Sequence, residues 1–405
     1  MKDPQITKLI KAEEKRQGET LNLIASENYP SRDVREALSS IFVAKYSEGR
    51  PGKRYYGGME NVDKLETLVE ERVKKVFKLN PKKWAVNVQP LSGAPANYEI
   101  LRGLLNLKDK ILCLHLPHGG HLSQGARVSF TGGDFRPIYY YLDKNGFLDY
   151  KAIEKLALKE KPKLIICGYT AYPRKVDFKK FAKIAKKAGA YLLADTSHIT
   201  GLIVGGVHPS PFPFADVVMT TTHKTLRGPR GAIIICKKEL ENKIFPKVFP
   251  GLQGGPHQHT ICAIGVALKE AQNPKFKKYA AQIIKNSKAL AEELKKYNFN
   301  LISGGTENHL VLIDLRNKGI TGKPAQELLE KAGIVTNRNT IPYDPRTPYD
   351  PSGIRLGTPA LTTRGMEEKE MRKIASWINE VISNPSSAAR IKTEVKKLCQ
   401  KFPIP

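Results

Sequence analysis

In the stretch DVVMTTTHKTLRGPRG, Asp216 to Gly231, a lysine stands just past an apolar run and three threonines, and is followed by a loop rich in glycine. Lysines mostly stay on solvated faces, so Lys224 at the end of a buried run is a candidate for chemistry. Two other apolar runs end in comparable fashion: LIICGYT delivers Thr170, and AYLLADTSH delivers Asp195 and His198. If these runs are strands of an open parallel sheet, their carboxyl ends share the rim where such folds bind ligands. That rim then presents a hydroxyl, a carboxylate, an imidazole and an amine. Singly each is ordinary, since Asp195 reads as well as a helix cap and Thr170 as a turn residue.

One chemistry asks for the set together. Pyridoxal phosphate needs a lysine that carries it covalently, here Lys224, and an acid for its ring nitrogen, here Asp195. Its phosphate needs backbone N–H groups at a glycine-rich turn or helix start, which QPLSGAPAN offers at Ser92, Gly93 and Ala94. Thr221 and His223 then position the lysine and help hold the phosphate. In the GPRG turn, Gly228 and Gly231 allow a tight bend, Pro229 stiffens it, and Arg230 is expected to anchor it by hydrogen bonds.

The elements that must position these groups follow from the pattern between about residues 80 and 236. The runs KILCLHL, PKLIICGY, AYLLADTS, DVVMTTT and GAIIICKK alternate with helical segments, which reads as a mostly parallel, buried sheet of an α/β protein. DFKKFAKIAKKAGA, opening on the potential cap Asp177, predicts a crossover helix. After FPGLQGGPHQHT, the segments NLISGG, NHLVLIDL, KPAQELLEKAGI and GIRLGTPALT predict a smaller α+β domain. The expected division is an N-terminal segment 1–45, a large domain 46–270 and a small domain 271–405.

Composition narrows the classes further. The chain has 405 residues, 40% of them hydrophobic, enough for substantial cores. It shows neither an apolar stretch of spanning length nor a signal-peptide pattern, so a cytoplasmic location without membrane association is expected. Its five cysteines are scattered in apolar runs and predict buried small side chains, with neither metal nor disulfide. With 67 basic against 39 acidic residues, the formal charge is +28. The lysines lie along amphipathic helices, which favours solvated helix faces; attraction of small polyanions is the second reading, and nucleic-acid recognition the third.

Taken together, LIASENYPS, KYSEGRPGKRYYGG, NVQPLSGAPAN, HGGHLS, DTSHITGL, TTTHKTLRGPRG, FPGLQGGP, SGGTENHL and SGIRLGTPALT resemble serine hydroxymethyltransferases, in the order of that family and over roughly residues 20 to 380. The resemblance implies fold type I of the pyridoxal-phosphate enzymes, like that of aspartate aminotransferase. The implied reaction is the reversible conversion of L-serine and tetrahydrofolate to glycine and 5,10-methylenetetrahydrofolate. By the same resemblance His121 stacks on the cofactor ring, and His198 and Thr170 lie on its phenolic-oxygen side. Arg355 clamps the substrate carboxylate with help from Ser26, and Glu48 is the acid/base carboxylate. Tyr56 shapes the substrate site, whereas Tyr46, Tyr55 and the Gly255 N–H reach the cofactor from a neighbouring chain, which makes a homodimer, alone or within a tetramer, a functional requirement. Folate is expected at Leu116, Gly120, Leu122 and Asn339.

Three features depart from the family pattern: Ala94 where many members have serine, Pro173 after YTAY where serine is common in bacteria, and the basic charge. Two rivals remain at this point. A related aldolase would cleave β-hydroxy amino acids without tetrahydrofolate, and a nucleic-acid-binding protein on this fold would bind RNA and no pyridoxal phosphate.

Overall fold

The computed structural model describes residues 2–405. The described residues form two compact units: one of residues 30–170 and 175–281, the other of residues 2–29, 171–174 and 282–405.

The first unit is built on a seven-stranded sheet. Its strands are β1 (Trp84–Asn87), β2 (Lys110–Leu114), β3 (Arg136–Tyr140), β4 (Leu164–Cys167), β5 (Tyr191–Asp195), β6 (Val217–Thr221) and β7 (Ala232–Lys237), in the spatial order β1-β7-β6-β5-β4-β2-β3. The pairs β3–β2, β2–β4, β4–β5 and β5–β6 are parallel, as the apolar runs predict. β7 runs antiparallel to both of its neighbours, β6 and β1. Its sequence AIIIC could not announce this, because a strand buried on both faces has the same composition in either direction.

The helices of this unit include α1 (Gly93–Leu104), α2 (Tyr150–Glu160), α3 (Phe178–Ala188) and α4 (Gln258–Ala271). α3 is the predicted crossover helix. Asp177 caps it by accepting the Lys180 N–H at 3.0 Å, and its Phe178, Phe181, Ile184 and Ala185 are buried at helical spacing while its lysines face outward. Beneath α1 lies an apolar core that includes Ile100, Leu101, Ile111, Leu193, Met219 and Ile234.

The second unit carries a four-stranded antiparallel sheet. Its strands β8 (Asn300–Leu301), β9 (Leu310–Asp314), β10 (Asn337–Asn339) and β11 (Gly353–Gly357) lie in the order β8-β9-β11-β10. Helices α5 (Gly322–Lys331) and α6 (Glu368–Ser383) contribute to its core with Leu329, Ile374 and Ile378, beside Val311 and Leu356 of the sheet. Four of the cysteines, Cys113, Cys167, Cys236 and Cys399, are buried and Cys262 is half-buried. Burial pushes the thiols of Cys113 and Cys236 up to about 12, so these behave as apolar filling. Among the described residues no helix is long and apolar enough to cross a membrane.

Candidate active site

The rim begins where strands end. Asp195 is the last residue of β5 and Thr221 the last of β6, while Thr170 follows β4 by three positions and Lys224 follows Thr221 by three. Gly168 holds β4 against β5: its φ is +156°, and a Cβ there would lie 2.1 Å from the Asp195 carbonyl oxygen. Thr170 donates its N–H to the Gly119 carbonyl at 2.8 Å and its hydroxyl to the Gly120 carbonyl at 2.8 Å. The loop that carries Gly120 and His121 is thereby tied to the rim.

Lys224 is half-buried, and its Nζ donates to Thr221 Oγ1 at 2.7 Å. The turn behind it is closed by Thr222, whose hydroxyl donates to the Pro229 carbonyl at 2.6 Å and whose carbonyl accepts the Gly228 N–H at 2.7 Å. Arg230 is exposed, so the anchoring expected of its guanidinium is done by a buried threonine. His223 has its pKa lowered to about 3, by burial first and by Lys224 and Arg230 next, and is neutral at physiological pH. Its Nδ1 is buried with no hydrogen-bond partner among the described residues.

α1 brings its N-terminus to this rim because Gly93 permits it. A Cβ on Gly93 would stand 2.7 Å from Thr221 Cγ2. The open donors of that helix start are set by its sequence. Pro95 has no N–H and the Ala96 N–H is used by the Ser92 carbonyl, which leaves the N–H groups of Gly93 and Ala94 available to an anion. Beside them lies a cavity of about 500 Å³ lined by residues that include Ala94, Tyr98, Leu122, Phe130 and Leu252.

The Asp195 carboxylate is buried and accepts four hydrogen bonds: Asn97 Nδ2 at 3.1 Å and Gln124 Nε2 at 2.8 Å on Oδ2, and the Ser197 N–H at 3.1 Å and Ser197 Oγ at 2.6 Å on Oδ1. Ser197 Oγ also accepts the Thr221 N–H at 3.1 Å, which couples the ends of β5 and β6. His198 is buried next in sequence, and its carbonyl accepts from the Thr225 hydroxyl at 2.9 Å. His121 is exposed at the rim, with Nδ1 2.8 Å from Ser123 Oγ. Leu116 opens a short 3-10 turn just before it. None of Asn97, Ser123, Gln124 and Ser197 was marked by the sequence reading. Their only signal is a polar side chain inside an otherwise buried segment.

A second cluster of the same unit gathers Tyr46, Glu48, Tyr56 and Gly255. The Tyr56 hydroxyl donates to Glu48 Oε2 at 3.1 Å; the Tyr46 hydroxyl stands 3.5 Å from Oε1, at the outer limit of a hydrogen bond. Partial desolvation and then the Glu48 carboxylate raise the Tyr56 phenol above its ordinary value. A Cβ on Gly255 would meet the Tyr46 ring at 3.3 Å, so Tyr46 and Gly255 lie together in one chain. Tyr55 packs edge-on against Phe249 and is 74% exposed. Behind the cluster, buried Arg54 donates to the Ser47 and Gly49 carbonyls at 3.0 and 2.7 Å, on either side of Glu48, and pairs with Asp63 and Glu66. That clamp was also missed in the sequence, where Arg54 reads as one more surface cation.

Ser26, Arg355 and Asn339 belong to the other unit. Arg355, in β11, is buried, donates Nε to Asn337 Oδ1 at 3.2 Å, and is lowered by burial to about 10. The Gly357 N–H donates to the Leu23 carbonyl at 2.7 Å, which sets the segment leading to half-buried Ser26 beside the end of β11. Asn339 is half-buried in β10, with Nδ2 bonded to the Thr340 carbonyl at 2.7 Å.

The residues at the rim fit pyridoxal phosphate on this chain's own geometry. The cradle at Gly93 would be filled by any Cβ, two helix N–H groups are open to an anion, a lysine sits at the rim, and an acid lies in a shell of donors. Comparison with known proteins bears on the same point. A family model described as serine hydroxymethyltransferase matches residues 1–378. A serine hydroxymethyltransferase of Desulfotalea psychrophila is 53% identical over all of this chain and 95% of its own length, and one of Sorangium cellulosum is 52% identical over the same shares. A third, from Acidothermus cellulolyticus, is 49% identical over all of this chain and 96% of its own. With half its residues shared along its full length and the rim built as described, the chain belongs to the serine hydroxymethyltransferase family.

Proposed function

We propose that the protein transfers the hydroxymethyl carbon of L-serine to tetrahydrofolate, reversibly, giving glycine, 5,10-methylenetetrahydrofolate and water. Full-length identity of about half to relatives of that name carries this reading. When bound, pyridoxal phosphate supplies a sink for the electron pair left at the substrate α-carbon. Lys224 is the residue that carries it covalently, and Asp195 keeps a proton on its ring nitrogen. His121 covers the ring face, with His198 and Thr170 on the phenolic side. The N–H groups of Gly93 and Ala94, together with Ser92, Thr221, His223 and Arg230, hold the phosphate.

Arg355, with Ser26, orients the substrate carboxylate, since a guanidinium fork matches two carboxylate oxygens. Its burial supports this, because a desolvated cation gains most from an anionic ligand. Glu48, with Tyr56 at its side, exchanges the proton of the serine hydroxyl as the Cα–Cβ bond breaks. Leu116, Gly120, Leu122 and Asn339 receive the folate. Residues 46–270 act as the cofactor-binding domain and 271–405 as the small domain.

We further propose a cytoplasmic homodimer. In it Tyr46, Tyr55 and Gly255 reach the site of a second copy; Tyr46 and Tyr55 are exposed, and Gly255 lies against the Tyr46 ring. The discriminating experiment is glycine formation from L-serine with and without tetrahydrofolate. Strict dependence is expected; cleavage of β-hydroxy amino acids at an undiminished rate without tetrahydrofolate would assign the aldolase activity instead.

A further inference from the structure

Two of the groups assigned to the cofactor, His121 and Asp195, are joined by two separate hydrogen-bonded connections. In the first, His121 Nδ1 lies 3.2 Å from the Ser123 N–H and 2.8 Å from Ser123 Oγ. A backbone N–H only donates, so Nδ1 is an acceptor; the neutral ring carries its proton on Nε2, and the Ser123 hydroxyl points its proton at the ring. Ser123 Oγ is then free to accept Asn97 Nδ2 at 2.9 Å, and the same amide nitrogen donates to Asp195 Oδ2 at 3.1 Å.

The second connection is a single side chain. Gln124 Oε1 accepts the His121 N–H at 3.1 Å, and Gln124 Nε2 donates to Asp195 Oδ2 at 2.8 Å. The amide orientation follows from chemistry: the His121 N–H can only donate and an ionised carboxylate can only accept, so oxygen and nitrogen cannot be exchanged. Gln124 is 3% exposed, so bulk water has little access to either bond. Few residue types could replace it. Glutamate would set a second carboxylate against Asp195, and methionine would leave both the His121 N–H and a carboxylate oxygen without this partner.

We infer that Gln124 is a positioning residue, which fixes the Asp195 carboxylate relative to the His121 backbone, with Asn97 and Ser123 as the parallel connection. The acid at the ring nitrogen and the imidazole over the ring face are thus one frame. This rests on the assignment of Asp195 and His121 to pyridoxal phosphate.

The test compares the parent with Gln124→Met and Gln124→Glu in three measurements: the dissociation constant for pyridoxal phosphate, the pH midpoint of the bound cofactor's visible absorption, and the melting temperature of the apoprotein. Affinity is expected to fall about 10-fold in Gln124→Met and about 100-fold in Gln124→Glu, with a displaced spectral midpoint in both. Unchanged affinity and midpoint in Gln124→Met, with a parent that binds normally, would overturn the inference and leave the functional reading standing. So would a lowered melting temperature with an unmoved midpoint, which marks a merely structural role. A parent that binds no pyridoxal phosphate defeats the functional reading itself.

Discussion

Two carboxylates of one unit are held in opposite ways. Asp195 is buried and takes hydrogen bonds from three side chains and one backbone N–H; Glu48 is half-exposed and has one well-placed donor, Tyr56, beside a second at the limit of bonding. The backbone of Glu48 is nevertheless as firmly fixed, by the buried Arg54 clamp on Ser47 and Gly49. The contrast suits two tasks. The acid proposed to face a cofactor ring has donors on both of its oxygens, whereas the acid proposed to take and return a proton is fixed in position but keeps access at its oxygens.

The largest effect is expected at the rim itself: Lys224→Ala should lower folate-dependent glycine formation by more than about 10³-fold, read in steady-state assays, because it removes the amine proposed to carry the cofactor. At the second carboxylate, Glu48→Gln should lower kcat by about 10² to 10³-fold while leaving affinity for pyridoxal phosphate unchanged. A matching loss of cofactor affinity would show that the two carboxylates do not divide the work.

A third carboxylate sharpens the contrast through stability. Glu99, in α1, is buried and neither oxygen has a hydrogen-bond partner among the described residues; burial raises it from 4.5 to about 8. The folded state therefore holds a proton that the unfolded chain releases between these values. Stability is lost as pH rises through that window, by up to about 1.4 kcal/mol per unit. Glu99→Leu should remove this slope and stabilise the protein at pH 7 by about 3 kcal/mol, visible as a higher urea midpoint. The smallest expected effect concerns the +28 charge: if it draws the anionic folate tail, the KM for tetrahydrofolate should rise about 2- to 5-fold between low and physiological ionic strength.

How far the sequence could be read follows from the same contrast. Strands were legible because LIIC, AYLLAD and DVVMTT are short apolar runs between helical patterns, and their ends fall at Asp195 and within three residues of Lys224. The direction of β7 was not legible, since direction is set by pairing rather than composition. Nor were the groups that hold the acids. Asn97 and Gln124 meet Asp195 across 98 and 71 residues, and Arg54 acts through carbonyls of a loop, so their roles exist only once the chain has folded. Glu99 misleads for the same reason: a helix pattern places glutamates on wet faces, and here packing buries one.

Borohydride reduction of the purified protein, followed by peptide mapping, tests the central claim most directly. A single reduced cofactor adduct on Lys224 is predicted, absent from Lys224→Ala. An adduct on another residue, or none, would contradict the account.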